Sequence, residues 1–161
     1  MTLPRTALSR RLAAGTLALG LLAAPLSTAA PAAVAADNFA AGAAHSGDAT
    51  YVKTIFDDSN QARLRNGRTP LSWSSQLGSD SLQWSQHLAR TGTFEHTTKN
   101  VRENLYTCSG CTTPTGAVEA WLKSPGHRRN LLNTRATSMG IGIAQNTKGE
   151  WIVTCLLYTS D

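Results

Sequence analysis

The 161-residue sequence predicts an α+β fold, with helices packed on an antiparallel sheet. Three observations carry that expectation. Apolar residues recur at helical spacing in Tyr51–Arg65, Ser74–Thr91 and Thr115–Lys123. The period then changes, and Met139–Ala144 alternates with glycines. Finally, the turn residues Asn146-Thr147-Lys148-Gly149 separate that segment from Trp151–Tyr158, an apolar and partly β-branched run.

Taken in order, residues 1–35 have the layout of a secretory signal peptide. Arg5, Arg10 and Arg11 form a positive start without an acidic neighbour. An uncharged stretch follows from Leu12 to Ala24, and Ala33-Val34-Ala35 offers a small-residue cleavage site before Ala36. The stretch holds 13 residues, short of the ~20 that a spanning helix needs. No later segment could span a bilayer either. Residues 36–50, rich in Ala, Gly, Ser and Asp, read as a flexible lead-in, which leaves 51–161 as one domain.

Within that domain, Tyr51–Arg65 reads as a helix with Val52, Ile55, Phe56 and Ala62 near one face, ended by Asn66-Gly67. Thr69-Pro70 is a turn, and Leu71 and Trp73 follow as anchors. A second helix is expected over Ser74–Thr91, where Leu77, Ser81, Trp84 and Leu88 form a stripe and Gly92 closes the end. Residues 93–114 read as irregular, with one short strand over Arg102–Tyr106. Thr115 is expected to cap a third helix running to Lys123 and burying Val118, Trp121 and Leu122. Ser124-Pro125-Gly126 breaks it, and a helical turn follows over His127–Leu132. The four tryptophans sit in apolar patterns and read as core anchors.

The formal charge of +5 reads differently once the leader is set aside. Three of the 15 basic residues lie in it and none of the ten acidic ones, leaving twelve against ten. Nucleic acid is therefore not an expected partner, because phosphate binding needs a clustered basic face. There is no G-x-G-x-x-G or phosphate loop, which argues against a nucleotide cofactor. An exported chain can keep disulfides. Cys108-Ser109-Gly110-Cys111 reads as a local structural disulfide, with Cys155 a buried free thiol. A Cys155 bridge to Cys108 or Cys111 is the alternative.

Three titratable residues stand out: His96, Glu103 and His127. Two imidazoles and a carboxylate could hold zinc or another divalent metal with a position left open. They could equally pair as a general base and its orienting carboxylate, or be three hydrogen-bonded polar residues. There is no G-x-S-x-G elbow for serine hydrolysis. His45, His87 and Glu119 read as exposed, and Asn60 and Arg63 as makers of structural hydrogen bonds.

One ordered set resembles a known family. It runs Asn60-x-x-Arg63, Pro70-Leu71-x-Trp73, Trp84 with Leu88-Ala89, Phe94-x-His96 and Glu103-Asn104. It continues through Trp121-x-x-Ser124-Pro125-Gly126-His127-Arg128-x-Asn130-Leu131-Leu132 to Gly140-Ile141-Gly142 and Trp151. In this order the segments resemble the CAP superfamily, built on the SCP domain, and in particular its short bacterial secreted branch. The resemblance implies an α-β-α sandwich with a small antiparallel sheet between helices. It also implies a cleft holding His96, Glu103 and His127. Longer members carry a second glutamate where this chain has Ser124, leaving Glu95 or Glu119 to approach, and Arg102 replaces a usual glycine. The implied function is a secreted, monomeric protein binding a lipid, sterol or cell-envelope component, with metal at His96 and His127. A secreted hydrolase using the same cleft is the alternative, and catalysis is the less expected of the two.

Overall fold

The computed structural model describes residues 36–45 and 48–160, so the expected leader, 1–35, lies outside the described residues. Helix α1 spans Asp48–Arg65 and starts three residues earlier than the periodicity predicts. Asp48 explains the earlier start. Its carboxylate accepts from the His45 backbone N–H at 3.0 Å, a negative group at the positive end of the helix. Helix α2 spans Ser75–Thr91. Ser74 Oγ caps it by accepting from the Leu77 N–H, and Gly92 at φ 70° closes it in the left-handed region.

Four strands form one sheet in the order β1-β3-β4-β2. These are β1 (Ser72–Trp73), β2 (Arg102–Cys108), β3 (Ala136–Gln145) and β4 (Trp151–Thr159). β4 pairs antiparallel with both β2 and β3. The short β1 runs parallel to β3 through Ser72↔Ser138 and Trp73↔Met139, so the sheet is mixed where an antiparallel one is expected. A two-residue strand is too short to show a period-2 pattern.

Helices cover both faces, giving the α-β-α sandwich. Val153, Cys155 and Leu157 of β4 join Met139, Ile141 and Ile143 of β3 in a core with Val52 and Ile55 of α1. The alternate residue Ile152 packs on the other side with Leu88 of α2 and Leu105. A strand buried on both faces reads as an unbroken apolar run, which is how Trp151–Leu157 reads.

α2 lies unusually close to β3. A Cβ on Gly140 would sit 2.1 Å from Gly78 N, and one on Gly142 2.0 Å from Leu82 N. The helix face there is Gly78, Ser81 and Ser85. Ser81 Oγ donates to Gly140 O at 3.0 Å, and Ser85 Oγ lies 2.9 Å from Gly142 O. The buried stripe of α2 is thus small and polar, and Ser85 replaces Trp84 in the expected pattern.

The lead-in departs most from expectation. Ala36–Gly42 is a 3-10 helix, Phe39 is fully buried, and Ala43 bridges to Ile143. Phe39 rests on Trp73 and Phe56, with ring centroids 4.6 and 5.3 Å away. A flexible lead-in over 36–50 is therefore corrected to a packed segment over the part described.

Helix α3 spans Ala117–Lys123 and α4 spans Pro125–Leu131. Gly116, not Thr115, stands at the start of α3, and no side chain caps it. The Thr115 hydroxyl is instead 2.9 Å from that of Thr113. Between the helices Ser124 is extended (φ −92°, ψ 120°), as the residue before proline prefers, and Pro125 opens α4. Cys108 and Cys111 are bonded, with Cα atoms 5.8 Å apart, and Cys155 is free and buried.

Candidate functional site

β2 brings Glu103 to the site and α4 brings His127. Two asparagines join these elements. Asn104 is fully buried, and its Nδ2 donates to His127 O at 3.0 Å. Asn130 Nδ2 donates to Glu103 O at 3.0 Å and lies 3.1 Å from Asn104 Oδ1. Trp121 Nε1 donates to Leu105 O at 2.9 Å, fixing α3 to the same strand. From the far side, the fully buried Arg63 of α1 donates to Thr69 O, Leu131 O and Asn133 O at 2.7–3.0 Å. A guanidinium at the carbonyl end of α4 suits both its hydrogen-bond fork and the helix dipole. Asn60 likewise exchanges two hydrogen bonds with the Leu71 backbone.

Glu103 is the buried charge of the site. Its side chain is 4% exposed, whereas that of His96 is 65% exposed. Oε2 accepts from the Thr97 N–H at 2.7 Å. Oε1 makes no hydrogen bond and lies 3.4 Å from His96 Nδ1. Burial pushes the Glu103 pKa up, against the opposing pull of the Thr97 N–H and of His96. His127 is half-buried, and its pKa is lowered first by burial and then by the charge of His96. The neutral imidazole is therefore its favoured state at neutral pH.

His96, Glu103, Ser124 and His127 all line one open cleft of about 660 Å³. Arg68, Arg102, Arg129 and Asn130 line it too. Glu95 and Glu119 do not. Glu119 instead pairs with Lys123 at 2.6 Å on the solvent face of α3. Asn104 and Asn130, which position the site, belong to the quoted family pattern, but neither carries a chemical signal of its own. Arg68 and Arg129 belong to no motif in the sequence, and only the fold places them on the cleft wall.

No three His, Cys, Asp or Glu side chains among the described residues converge into a metal cage. Two imidazoles nevertheless suit zinc as donors. The orphaned Glu103 Oε1 sits where it can accept the His96 Nδ1 proton and leave the other ring nitrogen free to bind. The residues present therefore fit a two-histidine site completed by solvent or ligand.

The layering and the histidine–carboxylate cleft together define an α-β-α domain with a polar cleft at one side of its sheet. The model of the cysteine-rich secretory protein family, CAP, matches residues 56–157, and the chain belongs to that family. The Bacillus subtilis (strain 168) protein YkwD is 29% identical over 113 residues, covering 60% of this chain and 43% of that protein. The B. subtilis membrane protein YlbC is 28% identical over 111 residues, covering 58% and 32%. The chain thus spans less than half the length of these curated relatives. Among solved structures, an outer surface protein of Borrelia burgdorferi superposes with a TM-score of 0.63 at 20% identity, over 71% of this chain and 96% of that one. An extracellular SCP-domain protein of Bacillus anthracis gives 0.53 at 21%, over 66% and 40%. These likenesses show the shared fold.

Proposed function

We propose that this chain is exported and acts outside the cell as a binding protein for a cell-envelope component, with zinc or another divalent ion at His96 and His127. The observation that carries the reading is the buried Glu103 carboxylate facing His96 in the cleft that His127 shares. The carboxylate fixes one imidazole, and burial keeps the other neutral, so both can donate a lone pair. When bound, the ion supplies a Lewis-acidic contact for an oxygen of the ligand. The chain's own residues supply the polar wall. That wall favours the polar part of an envelope component over a sterol or lipid tail, which an apolar cavity would hold. The hydrolase alternative would use the same His96, Glu103 and His127 and gains no separate support.

Calorimetric zinc titration of the wild-type chain and of the His96→Ala/His127→Ala variant tests the reading. The wild type should bind one ion, and the variant should lose that binding. Equal binding by both would remove the metal from the proposal.

A further inference from the structure

The wall of the cleft carries a feature the zinc reading does not use. Arg68, Arg102 and Arg129 all line it, and all three are exposed. Among the described residues the ion pairs are formed by lysines and histidines, and none of these arginines has a carboxylate within reach. Arg102 Nη1 has only a long, 3.5 Å contact to Asn130 Oδ1. Glu103, the acid of the wall, is buried with one oxygen held by the Thr97 N–H, so it neutralises none of them at the surface. Behind the wall the buried Arg63 adds a fourth guanidinium, satisfied by carbonyl oxygens and not by an acid. Residues 36–161, with twelve basic against ten acidic side chains, thus concentrate unpaired guanidinium in one concave place.

We infer that this arginine rim is an anion site for a phosphate ester group, which specifies the chemistry of the envelope component proposed above and rests on that proposal. Guanidinium forks match phosphate oxygens in two-point contacts. Several forks around one cleft suit a tetrahedral anion, whose oxygens point in several directions, better than a single flat carboxylate. The cleft walls and Arg63 behind them strengthen the field on such an anion relative to an open surface. A cation at the two histidines would add to the same attraction.

The test is titration of the purified chain with inorganic phosphate, with a soluble glycerol-phosphate oligomer, with a neutral glycerol oligomer and with a polycarboxylate. Vesicles of phosphatidylglycerol and of phosphatidylcholine complete the set. Binding of the phosphate oligomer should exceed that of both control polymers at least tenfold and weaken as salt rises. Arg102→Ala/Arg129→Ala should lose about tenfold or more, and Arg102→Lys/Arg129→Lys should fall between. Both variants should bind zinc as the wild type does, which shows that they are folded. Binding only to phosphatidylglycerol vesicles supports the inference with a lipid headgroup as source, and binding to the soluble oligomer supports a phosphate polymer. Equal affinity for polycarboxylate and phosphate, or unchanged affinity in the alanine variant, overturns it. Zinc binding without any phosphate binding overturns the rim and leaves the zinc reading standing. Phosphate binding without zinc removes the metal alone.

Discussion

Glu103 shows how a carboxylate buried in the cleft wall can serve a site by orienting another side chain. Its Oε1 faces His96 Nδ1 and has no other partner, so it selects the ring tautomer that leaves the second nitrogen free. In Glu103→Gln the amide can still accept from the Thr97 N–H, but its NH2 then points at His96 and forces the opposite tautomer. Zinc affinity should fall about 10–100-fold, while the thermal midpoint stays the same or rises, because an ionised group is no longer buried. Unchanged zinc affinity would show that the carboxylate does not orient the ring. Cys155 offers an independent check on burial. Its thiol is pushed up to about 12 from 9.0, first by burial and then by the Glu103 charge. The unfolded chain ionises first as pH rises above 9.0, so the folded chain holds more protons between 9.0 and about 12, and this contribution to stability is lost across that window. A thiol reagent at pH 8 should leave Cys155 of the folded chain unlabelled and label it once urea unfolds the protein.

At the scale of elements, the contact of α2 with β3 and the join of α4 to β2 are made by residues that look unremarkable in sequence. Glycine alternation in Met139–Ala144 marks a strand, but it does not announce that a helix backbone lies 2.0–2.1 Å from where a Cβ would be. Ser81 lies in the stripe the periodicity predicts and Ser85 outside it, and both are fully buried because a small polar side chain both permits the approach and binds the strand carbonyls. Gly142→Ala should cost about 1–3 kcal/mol, the range for overpacking, read from the urea midpoint. A wild-type midpoint would mean that α2 can shift without cost. The cleft was legible only in part for a similar reason. His96, Glu103 and His127 stand out by chemistry, but Asn104 and Asn130, whose amides link β2 to α4, bring Glu103 and His127 together, and Glu103 in turn holds the His96 segment through the Thr97 N–H. Asn104→Ala should cost about 1–3 kcal/mol, because the half-buried His127 carbonyl loses its donor and the Asn130 amide an acceptor. It should also weaken zinc binding, whereas Lys53→Ala, which pairs with Asp57 on α1 and does not line the cleft, should leave zinc binding intact.

For the whole molecule, the class of fold was readable because long periodic segments dominate it. β4 is apolar over Trp151–Leu157 apart from Thr154, whose hydroxyl bonds Ser85, and helices cover both of its faces. The boundary of the domain was not readable, because one aromatic among Ala and Gly produces no period. Phe39 is nevertheless one of the largest fully buried side chains, packed with tilted rings against Phe56 and Trp73. The same segment guards the sheet. β3 would present an open edge beyond the two residues paired with β1, and Ala43 bridges to Ile143 along it. Gly42 permits that approach, since a Cβ there would lie 1.9 Å from Ile141 O. The folded unit therefore begins before α1, and its loss should be felt globally. Phe39→Ala should lower stability by about 3–5 kcal/mol, the range for deleting a buried aromatic ring. Removal of residues 36–47 should cost at least as much and also expose the β3 edge, so the shortened chain should self-associate at concentrations where the Phe39→Ala chain stays monomeric. Urea unfolding followed by sedimentation separates the two effects. A wild-type midpoint for Phe39→Ala would return the segment to a mere lead-in. Equal association by both variants would place the edge protection in the aromatic packing and not in the Ala43 bridge.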